Sequence, residues 1–307
     1  MKEGREIFKL SGEPESSEEI RRDRDMLPSR SGGLEKSPEL EDFLRRVDFA
    51  LLYDIFKRIA EKSGINPETL NLLNPDRIFN KHIIEEGQIK KAKDNEPTGN
   101  LGGYEATRNI IFFYIKEMEK NQQTDFLGIH PDLLKLHALC HEETHATAKT
   151  ICRGVFARSR HTKVQMGYQQ SEFKKTILGD RLKRFFEFFN EGVTEKLARE
   201  VFQEYTVATA FADTNDLSTF REKVDAFYSS YVILVDAFIA KISSQTGISE
   251  DMVWKAIIRG MYEGENLMES ELKQAFDEMV SRGFAKRLAE AETADDIQSL
   301  IDELHTT

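Results

Sequence analysis

Cysteine is scarce: Cys140 and Cys152 are the only two in 307 residues. That excludes a disulfide-stapled secreted scaffold. Cys140 directly precedes His141, so on a helix it belongs to a different side, and it reads as a small buried thiol. Long apolar runs are missing as well. The longest, Tyr231 to Ala240, is broken by Asp236 and is too short to cross a bilayer. No membrane insertion is expected. The first twenty residues contain no apolar signal-peptide core, so the expected location is cytoplasmic. Basic charge is outweighed, with 43 Lys and Arg against 54 Asp and Glu, a net charge of −11. A general nucleic-acid binder needs a basic footprint, so that class is disfavoured.

What is present is enough apolar material, 39% of residues, to build a core under a well-charged surface. Residues 1–36, with SGEPESSEE and PSRSGG, are polar, charged and rich in Ser, Glu and Arg, and cannot bury enough apolar surface to offset ordering entropy. They are expected to form a disordered tail. Residues 37–307 are expected to form a single domain, with an N-terminal part to about 185 and a helical part after it.

The domain opens with Phe43, Leu44, Val47, Leu51, Ile55, Phe56 and Ile59 at helical spacing. Ser37 is the expected cap and Gly64 the stop. Two Asn-Pro steps then predict short helices and turns. Residues 82–116 read as extended, with HIIEEGQIKKAK as a first strand. The β-branched and aromatic run Ile110 to Ile115 is the strongest strand signal.

The chemistry lies in LLKLHALCHEETHATA, residues 133–148. Pro131 marks its first helical turn and Gly154 its expected limit. His141-Glu142-Glu143-Thr144-His145 is an H-E-x-x-H sequence. On a helix its two imidazoles lie one turn apart and can hold one Zn²⁺, with Glu142 beside the metal as a base. Catalytic zinc sites usually take a third protein ligand. The residues after His145 do not continue as H-x-x-G-x-x-H, so that ligand comes from elsewhere. Glu191 is the candidate. It stands among Phe185, Phe186, Phe189 and Val193, where a carboxylate is costly unless paired or metal-bound. This second helix is expected to start at an Asp180 cap. Gly192 permits close approach of the metal helix. Glu195, one turn on, is placed to accept from the free ring nitrogen of His141.

Other candidates carry plainer readings. His137 stands one turn before His141 and reads as a surface or supporting histidine. His161 reads as a solvated loop residue. Arg153, Arg158, Arg160 and Lys163 form a small basic cluster, either plain surface or a face for an acidic substrate segment. The HTKVQMGYQ stretch could supply a strand or hairpin arm to the sheet. Helices are expected over about 218–244, from a Thr246–Ser249 cap region to Gly260, and in two C-terminal segments.

An apolar strand, H-E-x-x-H on a helix and a later N-E-G-x-T-E (Asn190 to Glu195) resemble the gluzincin metallopeptidases, especially their small, minigluzincin-like members. The resemblance covers roughly residues 100–200. It implies a zincin-like fold and a peptide or protein substrate. It makes His141, His145 and Glu191 the zinc ligands and Glu142 the general base. It also implies that the strand before the helix binds extended peptide as an added strand. The family's oxyanion-stabilising Tyr or His falls on Tyr228 by placement, with Tyr231 next. The expected fold is α+β, helix-dominated: a small sheet on the H-E-x-x-H helix, with 161–170 as a candidate addition to it, then a mostly helical C-terminal part. Two other functions fit parts of the pattern. One is a zinc-bound but catalytically inactive binding or regulatory protein. The other is a helical interaction protein with an accidental H-E-x-x-H.

Overall fold

The structure is a computed structural model. It describes residues 5–10, 34–81, 101–106, 108–157, 159–176, 179–209, 211, 214–227, 229–264 and 280–306. Helix dominates, with two small sheets, so the class is α+β.

Strand β1 (Arg5–Leu10) falls inside the segment expected to be a polar tail and pairs antiparallel with β6 (Thr150–Ala157). Backbone pairing places these six residues in a sheet. A short β2 (Leu34–Glu35) leads into α1 (Pro38–Arg46). Ser37 caps α1 by accepting from the Leu40 N–H at 3.2 Å. The expected first helix is in fact two, because Val47 turns extended and Asp48 caps a new start, α2 (Phe49–Lys62). Phe43, Leu52, Ile55 and Phe56 of this pair are fully buried. Each Asn-Pro step opens a single 3₁₀ turn, Pro67–Thr69 and Pro75–Arg77, with the asparagine as side-chain cap.

Strands β3 (Ile78–Lys81), β4 (Gly102–Glu105) and β5 (Ile110–Phe113) complete a mixed sheet of order β2-β3-β5-β4. The strand expected over HIIEEGQIKKAK lies outside the described residues. The strong apolar run stops at Phe113, and Ile115 instead begins α3 (Ile115–Gln123). β5 is parallel to β3 on one side and antiparallel to β4 on the other. Both its edges are therefore used, and an added peptide strand cannot pair with Ile110–Phe113 as expected. β4 is the outer strand instead.

Helix α4 (Pro131–Thr147) carries H-E-x-x-H. His130 Nδ1 accepts from the Asp132 N–H at 3.3 Å and Pro131 occupies the first turn. It ends before Gly154, as expected, with Ala148 as its C-cap, and the residues from Thr150 on pair as β6. Fifteen of its seventeen residues are buried, so this is a central core helix and not an amphipathic surface one.

Strands β6, β7 (Ser159–Met166), β8 (Gln169–Thr176) and β9 (Gly179–Phe185) form an antiparallel meander with β1 at its edge. Residues 161–170 thus belong to a separate five-stranded sheet and do not join the first. His161 is in strand β7 and not in a loop. Of the expected basic cluster, Arg153 pairs with Lys163 and Arg160 with Phe156 in the β6–β7 register, and Arg158 lies outside the described residues.

Asp180 pairs with Lys175 in β9 and caps no helix. The reversal occurs at Phe186, a buried residue with φ of 57°, after which α5 (Glu187–Thr209) begins. Its N–H donates to the Ala289 carbonyl at 2.9 Å, which holds this unusual conformation in place. The helix expected over 218–244 is two, α6 (Thr214–Phe227) and α7 (Ser229–Thr246). Ser249 caps α8 (Glu250–Glu263), which runs past Gly260 to a left-handed Gly264. α9 (Phe284–Glu290) and α10 (Ala294–Thr306) close the chain, with α10 packed on α7. No single described helix is long and apolar enough to cross a membrane.

Candidate metal centre

The site forms where α4 crosses α5, both drawn together by their apolar sides. Leu133, Leu136 and Leu139 of α4 and Val193, Leu197 and Val201 of α5 are all fully buried. This burial brings the polar residues between them into one layer, open to solvent at Glu191, whose side chain is 26% exposed.

In that layer His141, His145 and Glu191 converge. Glu191 Oε2 lies 3.4 Å from His141 Nε2 and 3.4 Å from His145 Nε2. One donor atom from each falls within 4.8 Å of the others, an arrangement that could hold a metal ion. The spacing is long for a charge-assisted hydrogen bond. It matches the edge of a tetrahedron, about 3.3 Å, when metal–donor bonds are about 2.0 to 2.1 Å. The donors therefore fit a shared ion better than each other.

The far ring nitrogens have partners on α5. His141 Nδ1 is 2.9 Å from Glu195 Oε2, and His145 Nδ1 is 3.5 Å from Thr194 Oγ1. Glu191, Thr194 and Glu195 stand at i, i+3 and i+4, so one helix face supplies a donor and both ring supports. Thr194 was not read from the sequence, although its i+3 spacing is a usable signal. Glu195 also receives His137 Nε2 at 3.1 Å and Arg199 Nε at 2.7 Å. His137 is buried and supports Glu195 from the far side, outside the three-donor cluster.

Charge follows this geometry. Burial works to raise the Glu191 carboxyl, but the two histidines beside it win and hold it far below the usual carboxylate range. Glu195 is likewise held well below its ordinary value; burial opposes this, and His137 and His141 outweigh it. The His141 imidazole is raised well above its ordinary value, because Glu191 and Glu195 outweigh its burial. All of this describes a pocket that favours positive charge at its centre.

Glu142 points the other way, toward β4. Burial raises its carboxyl, and the neighbouring histidines and the Tyr104 N–H only partly offset that. A Cβ built on Gly102 would sit 3.4 Å from Glu142 Cγ, so β4 lies directly against this side chain. A hub at Asn71 fixes β4 relative to α4. Its Nδ2 donates to the Ala146 carbonyl at 3.0 Å and to Asn109 Oδ1 at 2.8 Å, and lies 3.3 Å from the Tyr104 hydroxyl.

Glu143 was not singled out in the sequence. It is fully buried on the opposite side of α4, where Oε1 accepts the Leu73 N–H at 2.7 Å. Burial pushes its carboxyl up to about 8. It therefore fastens the segment that carries Asn71.

Gly192 has a different partner from the one expected. A Cβ there would strike the Tyr231 carbonyl and lie 2.8 Å from Val235 Cγ2. The glycine admits the backbone of α7, not the metal helix. This approach brings Tyr231 to the site. Its ring stacks on Phe188 at 5.2 Å, and burial, with the negative charge of Glu191 and Glu187, raises its hydroxyl. Tyr228 lies outside the described residues. Asn190, the first residue of N-E-G-V-T-E, clasps the β7–β8 turn. Its Oδ1 accepts the Tyr168 N–H at 3.0 Å. The chain matches no protein-family model, no curated protein and no solved structure.

Proposed function

We propose that the chain is a zinc-dependent metallopeptidase of gluzincin type. One observation carries this reading: three donors within 4.8 Å of one another, the carboxylate 3.4 Å from each imidazole, with a buried carboxylate next in the chain to one of them and facing an outer sheet strand. Two imidazoles and one carboxylate are a frequent catalytic zinc set that leaves a position open. The same donors also serve non-haem iron. Glu142 favours hydrolysis, because oxygen chemistry has no need of a base at that place.

A zinc ion held by His141, His145 and Glu191 would acidify a water and polarise the scissile carbonyl. Glu142 takes the proton from the attacking water. It then returns it to the nitrogen of the leaving amine. Its raised affinity for a proton suits both steps. Substrate lies extended along β4, whose backbone supplies an added-strand register. Of the two tyrosines expected as oxyanion donor, Tyr228 lies outside the described residues, and Tyr231 on α7 is within electrostatic reach of Glu191. His141 is kept in one tautomer by Glu195.

The test is cleavage of a mixed peptide library by the full chain, read by mass spectrometry. Cleavage abolished by a chelator and restored by zinc is expected. Stoichiometric zinc without cleavage of any peptide would favour a binding protein. Absence of bound metal would favour an accidental motif.

A further inference from the structure

Behind Glu195, away from β4, a cavity of about 170 Å³ opens between α4, α5 and α6. Its apolar walls are Phe202, Phe220 and Val224, all buried. The Phe202 and Phe220 rings are 5.2 Å apart, and His137 meets each edge-on at 5.7 and 5.8 Å. Two guanidiniums, Arg199 and Arg221, and the amide of Gln203 complete the lining, which includes no carboxylate. Glu195 compensates the Arg199 charge from behind, so Arg221 supplies the free positive charge of the lining.

The two arginines differ in their attachment. Arg199 is anchored, with Nε on Glu195 Oε1 at 2.7 Å and an Nη2–H donated to the Val224 carbonyl at 3.1 Å. Arg221 is exposed on α6 and has no acidic partner among the described residues. A fixed cation and an uncommitted one flank an aromatic floor. That combination recognises a carboxylate on an apolar or aromatic body.

We propose that this cavity binds a small organic carboxylate and that the bound anion acts on the metal site through Arg199 and Glu195. Binding at the cavity does not depend on the metallopeptidase reading; the effect on the metal does. An anion beside Arg199 draws part of its charge away from Glu195. Glu195 then holds His141 more strongly, and a more basic imidazole binds metal more tightly. By linkage, metal tightens the anion to the same degree.

The test uses the full chain with benzoate, its neutral isostere benzamide, and acetate, each titrated by calorimetry. Benzoate should bind saturably and at least about tenfold more tightly than benzamide or acetate. Arg221→Met should weaken it about tenfold, the loss expected for a charge-assisted hydrogen bond, and Arg221→Lys should recover part of that. Equal binding of benzoate and benzamide, no saturable benzoate binding, or an unaltered Arg221→Met protein would each overturn the site. Benzoate should also tighten zinc binding several-fold in the wild type, and Arg221→Met should need about tenfold more benzoate for the same effect. Unchanged zinc affinity in the wild type, with benzoate bound, would overturn the coupling alone.

Discussion

Glu195 Oε2 stands 2.9 Å from His141 Nδ1, so the other ring nitrogen is the one turned to Glu191 and the candidate metal position. The carboxylate is fully buried and is shared with His137 and Arg199. Such outer partners typically contribute about 10- to 100-fold in metal affinity. Glu195→Gln should lower zinc affinity in that range, measured by competition with a chelating dye. A metal affinity equal to wild type would show that the contact does not set the ring.

Gly192 lets the backbone of α7 lie directly against α5. Gly192→Ala places a methyl against the Tyr231 carbonyl and Val235. An overpacked contact of this kind costs about 1 to 3 kcal/mol. Chemical unfolding should show that loss despite the better helix propensity of alanine. A more stable variant would mean that the two helices do not approach as described.

Tyr231 is the prediction that concerns the electrophilic half of the reaction. Tyr231→Phe keeps the stacking on Phe188 and removes only the hydroxyl. A transition-state donor is worth about 100-fold or more in kcat. Steady-state kinetics on a library-derived peptide should show kcat reduced and KM little changed. An unchanged kcat would return Tyr231 to a packing role.

Glu143 separates structure from chemistry within the same pentapeptide. Its Oε1 accepts the buried Leu73 N–H, and its Oε2 is buried without a partner among the described residues. Glu143→Gln keeps the acceptor and should leave stability near wild type. Glu143→Leu orphans the N–H and should cost about 1 to 3 kcal/mol. Urea unfolding distinguishes the two. Equal stability of both variants would contradict the anchoring role.

How far the site was legible depended on the range of its interactions. His141, Glu142 and His145 are one turn of one helix, and i, i+4 spacing places them without further knowledge. Glu191 and Glu195 were legible because charged residues interrupt an apolar stripe, and burial makes such interruptions costly. Arg199 and Thr194 obey the same spacing but follow no unusual pattern of their own. Glu143 was hidden because its partner is a backbone N–H seventy residues earlier. The role of Gly192 was misread for a related reason: a glycine announces close approach but not by which element. Strand boundaries failed where pairing overrode local propensity. Asp180 looked like a helix cap until β8 claimed it, and Ile115 looked like strand until β5 ended at Phe113. The β3–β5–β4 order was not legible either, so the outer strand was assigned to the strongest apolar run.

The central claim is that a metal held by His141, His145 and Glu191 serves a water activated by Glu142. Glu142→Gln tests it most directly, because the amide keeps size and shape but cannot take a proton. The account predicts wild-type zinc content by elemental analysis of untagged protein, together with loss of peptide cleavage by several orders of magnitude. Undiminished cleavage by the zinc-loaded Glu142→Gln protein would contradict it.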